Sequence, residues 1–381
     1  MEILFWFAVA LIFYTYAGYP IWLLLMPRVQ KRPSSGQLSN LQVSVIIAAH
    51  NEEVNIVRRV ANLNEQSYPK ESLEIIVVSD GSSDNTVAAL KRIEGANLKV
   101  IELTQNRGKA VALNTGVAHS SADIIVFTDA RQTFASNAIE RLVSNFAALD
   151  VGVVCGELCF VTDGKSMVQA EMGAYWKYEK WIRKAESDVG SVVGATGAIY
   201  AIRRKLYSPL PEGTILDDVL TPLKIVMKGF RCIFDNSALA HDVVSTSVSQ
   251  EWKRKLRTLA GNWQLLSLCP PLLNPVKNPV WWRFFSHKIL RLVMPFLLLF
   301  ILGSSMLLDA TSFRLLFACQ LAIYGLALAA HMIPSLRNLR IANITYFVVA
   351  MNAAALVGFW LWVSGACARA WQPAYKAGGA K

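Results

Sequence analysis

Charge is scarce in this chain. Only 17% of its 381 residues are Asp, Glu, Lys or Arg, against 54% hydrophobic, whereas a soluble domain carries about 25% charged residues. The shortage is uneven. Residues 1–26 and roughly the last hundred hold long apolar runs, while residues 41–242 read as an ordinary α/β domain. That distribution excludes a wholly soluble protein and points to a membrane protein carrying a globular domain. Cysteine is sparse too: there are six, with no CxxC pair, and Cys155 with Cys159 lacks histidines at zinc-ligand spacing. A zinc module is excluded, leaving reduced and mostly buried thiols. The first apolar run, residues 3–26, lacks the basic leader and small-residue cleavage site of a secretory signal, so a retained anchor is expected. Three C-terminal runs, 289–308, 312–333 and 341–364, hold few ionisable side chains, which argues against a proton or ion pathway.

The net charge of +11 invites a nucleic-acid reading, but its distribution opposes it. Lys253, Arg254, Lys255, Arg257, Lys277, Arg283, Lys288 and Arg291 are interleaved with Trp252, Trp263, Trp281 and Trp282 directly before an apolar run. Basic residues with tryptophans in that position suit lipid headgroups. The expected partner is therefore the lipid bilayer and not nucleic acid. Arg28, Lys31, Arg32, Arg337 and Arg340 place the domain in the cytoplasm, on an inner or plasma membrane, by the positive-inside rule. The expected division is an anchor at 1–27, a linker at 33–37, a domain at 41–245, an interfacial segment at 246–288, three spans within 289–366, and a tail at 367–381.

Within the domain, apolar β-branched runs alternate with helix-like segments four times, at 43–49, 74–79, 99–103 and 124–128, which predicts a mostly parallel sheet with right-handed crossovers. Ligands of such sheets bind beyond the carboxyl ends of the strands. Asp80 and Asp129 stand there. An Asp after a strand also serves as a turn residue or helix cap, and Asp84 has mainly that character. Lys109 opens a helix after Gly108, where an ammonium and helix N–H groups both favour a diphosphate. Residues 167–186 predict an amphipathic helix bearing Tyr175, Trp176, Tyr178 and Trp181, either a sugar platform or a packing stripe. Gly194, Thr196 and Gly197 allow close backbone approach to an acceptor or donor sugar. A further strand is expected at 230–234, and His241 is either a metal ligand or a structural residue.

Six motifs in order carry a resemblance. His50-Asn51-Glu52-Glu53, Ser79-Asp80-Gly81-Ser82-Ser83-Asp84, Gly108-Lys109-Ala110 with Ala112-Leu113-Asn114, and Thr128-Asp129-Ala130 resemble motifs of family 2 glycosyltransferases of the GT-A fold. Leu216-Asp217-Asp218-Val219-Leu220 and Arg254-Lys255-Leu256-Arg257-Thr258 resemble the two further motifs of the membrane-integrated branch, which makes cellulose, hyaluronan and poly-N-acetylglucosamine. The resemblance implies a nucleotide-sugar donor, a UDP-sugar, bound by Ala48, His50, Glu52, Asp80, Lys109, Asp129 and Arg257. It implies a divalent metal, Mg2+ or Mn2+, at Asp129 with His241 as a further ligand, and Asp218 as general base with Asp217 beside it. Gly194, Thr196, Gly197 and Trp176 are then expected near the sugar acceptor, a glycan or a lipid-linked one. Polysaccharide export or assembly proteins are the implied protein partners.

Two departures from the pattern stand out. The second acid of the Asp-x-Asp motif is Arg131, and the Gln and Trp of the sixth motif are Arg254 and Thr258. The first bears on the metal and the second on processive synthesis. The expected function is inverting sugar transfer to a growing extracellular polysaccharide. The alternatives are a single transfer to a lipid-linked acceptor and a catalytically silent membrane scaffold.

Overall fold

The structure, a computed structural model, describes residues 1–29, 41–93, 95, 97–161, 167–243 and 248–365. The expected linker at 33–37 and tail at 367–381 lie outside the described residues. Among the described residues, eight strands form one sheet: β1 (Val43–Ala49), β2 (Leu73–Asp80), β3 (Leu98–Leu103), β4 (Ile124–Thr128), β5 (Thr133–Phe134), β6 (Val151–Val161), β7 (Tyr200–Arg203) and β8 (Arg231–Val243). Their order is β3-β2-β1-β4-β7-β6-β8-β5. The first four are mutually parallel, as the alternating pattern requires. β7 runs antiparallel to both β4 and β6, and β8 parallel to β6. Between β1 and β4 the strand order reverses, and that point opens the crevice in a doubly wound sheet.

Both faces of the sheet are covered. Ile46, Ile76, Val78, Ile125 and Phe127 pack on the helices Lys109–Ala118 and Asp217–Val226, while Val45, Ile47, Ile75 and Val77 pack on Ile56–Asn64 and Ala138–Ser144. The first of these cores continues without a break into Leu265, Leu272, Phe284 and Ile289. Domain and membrane helices thus share apolar packing. The strand expected at 230–234 proves to be the start of the 13-residue β8. Asp235, Asn236 and Ser237 interrupt its apolar pattern because the register there slips from Cys155↔Phe234 to Glu157↔Leu239, and bulges of this kind let a strand continue past a polar break.

Among the described residues, four helices are long and apolar enough to cross a membrane: Glu2–Leu25, Trp281–Leu307, Thr311–Met332 and Arg340–Val363. The second starts eight residues earlier than the apolar run at 289 suggests. Its first turns continue through a π-helical segment, Phe285–Ile289, so His287 and Lys288 belong to that helix. The N-terminal helix carries a second π segment, Tyr14–Gly18, and the two are joined where Tyr14 Oη and Ser286 Oγ lie 2.8 Å apart.

Candidate active site

Three strand ends build one wall of the crevice. After β1, His50 donates from Nδ1 to the Asp80 carbonyl at 2.6 Å, and Asn51 takes a positive φ of 55°. At the end of β2, Asp80 is fully buried, and its two oxygens accept from the backbone N–H groups of Arg107 and Gly108, each at 2.8 Å. Asp80 thereby fixes the loop that delivers Lys109 to the first turn of its helix. At the end of β4, Thr128 is held by buried Arg59, whose Nη2 donates to Oγ1 at 2.8 Å, and Asp129 follows with a side chain 41% exposed. Ala48 lines the same edge one residue inside β1, half-buried, and Glu52 sits half-buried beside it. Burial raises the Glu52 carboxyl, opposed by its 2.8 Å bond from Asn55. Asp84 accepts from Thr86 N at 3.0 Å and Glu53 N at 3.1 Å, the turn role its spacing suggests.

The fifth motif supplies the opposite wall. The helix Asp217–Val226 carries both acids in its first turn, where the helix dipole favours negative charge. Lys109 Nζ stands between the walls, 2.9 Å from Asp129 Oδ1 and 3.4 Å from Asp217 Oδ1. The two acids divide by burial. Asp217, its side chain 5% exposed, is pushed up to about 6 by burial, against the pull of Lys109. Asp218 is half-buried and accepts from Gly197 N at 3.0 Å. A Cβ on Gly197 would lie 3.1 Å from Asp218 Oδ2, so the glycine is what lets the carboxylate sit there. Burial would raise the Asp129 carboxyl, but Lys109, Arg131 and Arg257 outweigh it and hold it below the usual value. Arg257, on the helix Val248–Leu268, is thus within electrostatic reach of Asp129.

Several expected residues lie elsewhere or do other work. Arg131 points out of the crevice to Asp242, Nη2 to Oδ2 at 2.7 Å, and Gln132 joins the same oxygen at 3.0 Å. His241 stands in β8 opposite Cys159 and Thr133. Among the described residues no three His, Cys, Asp or Glu side chains converge as a metal site. Trp263, just past the sixth motif, packs on Phe359 and Trp362. Trp176 leans on Phe160 and lines a pocket with Lys180, Arg183 and Thr196, while Gly194 approaches Val219 on the acid-bearing helix. Arg183, absent from the motif reading, bonds Thr196 Oγ1, next to the Gly197 that holds Asp218. Its seven-residue spacing from Trp176 on one helix was the available signal. A cavity of about 580 Å³ lined by Arg28, Lys184, Asp188 and Arg231 holds none of the motif acids.

The donor set fits a magnesium-type cation. Asp129 is a half-exposed carboxylate, and Mg2+ takes one or two carboxylates with phosphate oxygens and waters completing its shell. Asp129 would hold it beside a diphosphate, with Lys109 on the same oxygens.

Residues 44–209 match the family model of glycosyl transferase family 2. The chain is 24% identical over 229 residues to the poly-beta-1,6-N-acetyl-D-glucosamine synthase of Staphylococcus aureus strain COL, covering 59% of this chain and 55% of that one. It is 27% identical over 242 residues to the probable glycosyltransferase YdaM of Bacillus subtilis, covering 58% and 55%. The chain therefore spans about half the length of these curated relatives. Among solved structures, the mannosyltransferase PcManGT of Pyrobaculum calidifontis, in complex with GDP-Man and Mn2+, superposes with a TM-score of 0.69 at 22% identity, over 94% of this chain and 99% of that one. The fold shared with it is of GT-A type with membrane helices.

Proposed function

From a glycosyl transferase family 2 domain at residues 44–209, we propose that the protein is a membrane-bound inverting glycosyltransferase. It takes a sugar from a nucleotide-diphosphate donor, a UDP-sugar, and adds it to a glycan that grows into an extracellular polysaccharide. One observation carries the reading: Lys109 Nζ bridges Asp129 and Asp217 at the carboxyl edge of the sheet, with Asp218 as the next residue. That arrangement offers a cation for a leaving diphosphate and a separate carboxylate for a nucleophile.

In the reaction, Asp218 takes the proton of an acceptor hydroxyl. The oxygen attacks the anomeric carbon from the face opposite the diphosphate, the carbon–oxygen bond to the diphosphate breaks, and the nucleoside diphosphate leaves with the electron pair. A single displacement inverts the anomeric centre. Asp217 is the poorer base, being buried and turned to Lys109. Lys109 and Arg257 lie where charge develops on the leaving group, and fixed cations there stabilise the transition state more than the ground state. A divalent cation bound at Asp129 adds Lewis-acid stabilisation of the same diphosphate. Asp80 acts on the nucleoside side, and its remaining lone pairs lie beside the loop it already holds.

The test is to supply membranes containing the protein with a panel of labelled nucleotide sugars and size the product. Asp218→Asn is expected to lose roughly 10² to 10⁴ in transfer, the usual worth of a positioned base, while keeping nucleotide binding. Near-normal transfer by that variant moves the base to Asp217.

A further inference from the structure

Arg59 is a buried cation that the chemistry above leaves without a task. It is 1% exposed, and among the described residues it is the largest side chain so deeply buried. On the helix Ile56–Asn64 it shares the buried stripe of Ile56, Val60 and Leu63, where the helical period calls for an apolar side chain. Its Nη1 donates to Asn62 Oδ1 at 2.7 Å and its Nη2 to Thr128 Oγ1 at 2.8 Å, while the Phe134 ring centroid lies 4.0 Å from Cζ. Nε is buried with no hydrogen-bond partner. Among the described residues no carboxylate bonds the guanidinium. Burial pushes it down to about 9, and Asp129 is the anion that opposes this. An apolar side chain of similar size would fill the place without burying a charge.

Thr128 gives that charge a use. The main-chain ladder between β4 and β7 ends at Phe127↔Tyr200. Beyond it the Thr128 hydroxyl continues the link, donating to the Ala198 carbonyl at 2.8 Å. Ala198 follows Gly197, whose N–H holds Asp218 Oδ2 at 3.0 Å, and Ala195 N donates to the Asp218 carbonyl at 2.7 Å. Thr128 itself directly precedes Asp129. One hydroxyl thus joins the strand end bearing Asp129 to the turn that holds Asp218. It has a single proton to give, and a guanidinium donates without ever accepting. With Arg59 on its oxygen, the hydroxyl is left to donate to Ala198, since the Asp129 carbonyl at 3.4 Å is the poorer acceptor. The second prong of Arg59 is fixed as well, because Asn62 Oδ1 also accepts from Phe134 N at 2.7 Å.

We propose that Arg59 is a positioning residue for sugar transfer, and that through the Thr128 hydroxyl it fixes the spacing between Asp129 on one wall of the crevice and Asp218 on the other. The inference rests on the glycosyltransferase reading above and adds the group that sets the two walls against each other. Asp129 faces the leaving diphosphate and Asp218 the attacking hydroxyl, so their spacing decides whether nucleophile and anomeric carbon meet in line. A misplacement of about 1 Å at such a centre can cost about 10²-fold in rate. Nucleotide binding depends on Asp80 and the loop before Lys109, which the link through Thr128 does not touch.

The test uses the full-length protein in phosphatidylcholine nanodiscs and the labelled nucleotide sugar that the panel above shows to be transferred, with UDP titration and melting followed in the same discs. Arg59→Met should lower kcat at least about tenfold, leave KM for the nucleotide sugar and UDP affinity within about threefold, and melt no lower than the parent. Thr128→Val should lose kcat to a similar extent and also melt lower, because it leaves the buried Nη2 without an acceptor. Thr128→Ser keeps the hydroxyl and should retain most of the turnover that Thr128→Val loses. The double variant Arg59→Met/Thr128→Val should melt above Thr128→Val yet turn over no faster, and its kcat loss should not exceed that of the larger single loss. Near-parent kcat in Arg59→Met overturns the inference, as do single losses that multiply in the double variant. Turnover that recovers together with the melting temperature makes Arg59 a structural group only and overturns it too. Should Arg59→Met fail to fold, equal kcat in Thr128→Val and Thr128→Ser overturns the link by itself. If the parent transfers no nucleotide sugar of the panel, the glycosyltransferase reading falls and this inference with it.

Discussion

Asp217 and Asp218 are neighbours in sequence and opposites in environment, and that difference is measurable. Asp217 is pushed up to about 6 by burial. Its folded value lies above its unfolded value, so the folded state binds a proton that the unfolded chain releases between about pH 4 and 6. Above that window the buried charge costs stability, on the order of 3 kcal/mol for a shift of about two units. In chelator-containing buffer, Asp217→Asn should melt a few degrees above the parent at pH 8, with the gap closing by pH 5. A gap that widens toward pH 5 would show that Asp217 is stabilised as an anion by Lys109. Arg131 belongs to the same scale. Its guanidinium is committed to Asp242, 2.7 Å away, so Arg131→Ala should cost less than about tenfold in turnover, or 1.4 kcal/mol. Asp129→Asn should abolish turnover, as should excess chelator. Equal losses in the two variants would mean that the guanidinium works on the diphosphate itself.

At the level of elements, the site depends on how β2 hands over to the loop before Lys109. Gly81 follows Asp80 with φ +60°, and a Cβ there would lie 2.4 Å from the Asn106 backbone nitrogen. No side chain can yield at that contact, because the obstacle is main chain. Gly81→Ala should therefore displace the 105–108 loop and weaken nucleotide binding by at least about tenfold, with about 1–2 kcal/mol of backbone strain added. Unchanged binding, read by titration with UDP, would mean the loop does not place Lys109. This part of the fold was legible in the sequence because β1, β2 and β4 are short runs rich in Val and Ile, each closed by a polar motif residue. β5 to β7 were not. β5 is two residues long, and β6 runs on through Gly156 and Glu157 across a register shift. Arg183 was illegible beside the acids for another reason. It comes from a separate helix, 35 residues before Asp218, and only tertiary packing brings it to Thr196.

At the scale of the whole molecule, the membrane helices and the domain are oriented by one another. The helix Val248–Leu268 packs along Arg340–Val363, with Lys255 over the Phe347 ring at 4.8 Å and Trp263 stacked on Trp362 at 5.7 Å. Position rises along both helices together, so they run parallel. The Arg340 end therefore lies with the end carrying Lys253, Arg254, Lys255 and Arg257, next to the β8 exit from the domain. Charges 80 residues apart in sequence thus gather on one side, the condition under which the positive-inside rule sets orientation. With the native cysteines replaced by serine, a cysteine at exposed Leu149 in the domain and one at Ser335 before the fourth apolar helix should both resist an impermeant thiol reagent in intact cells. A cysteine at Ala310, between the second and third apolar helices, should be labelled. Labelling of Leu149 and Ser335 with protection of Ala310 would invert the protein and place the donor site outside. Labelling of Leu149 alone would separate the two basic clusters and contradict the parallel packing that brings them together.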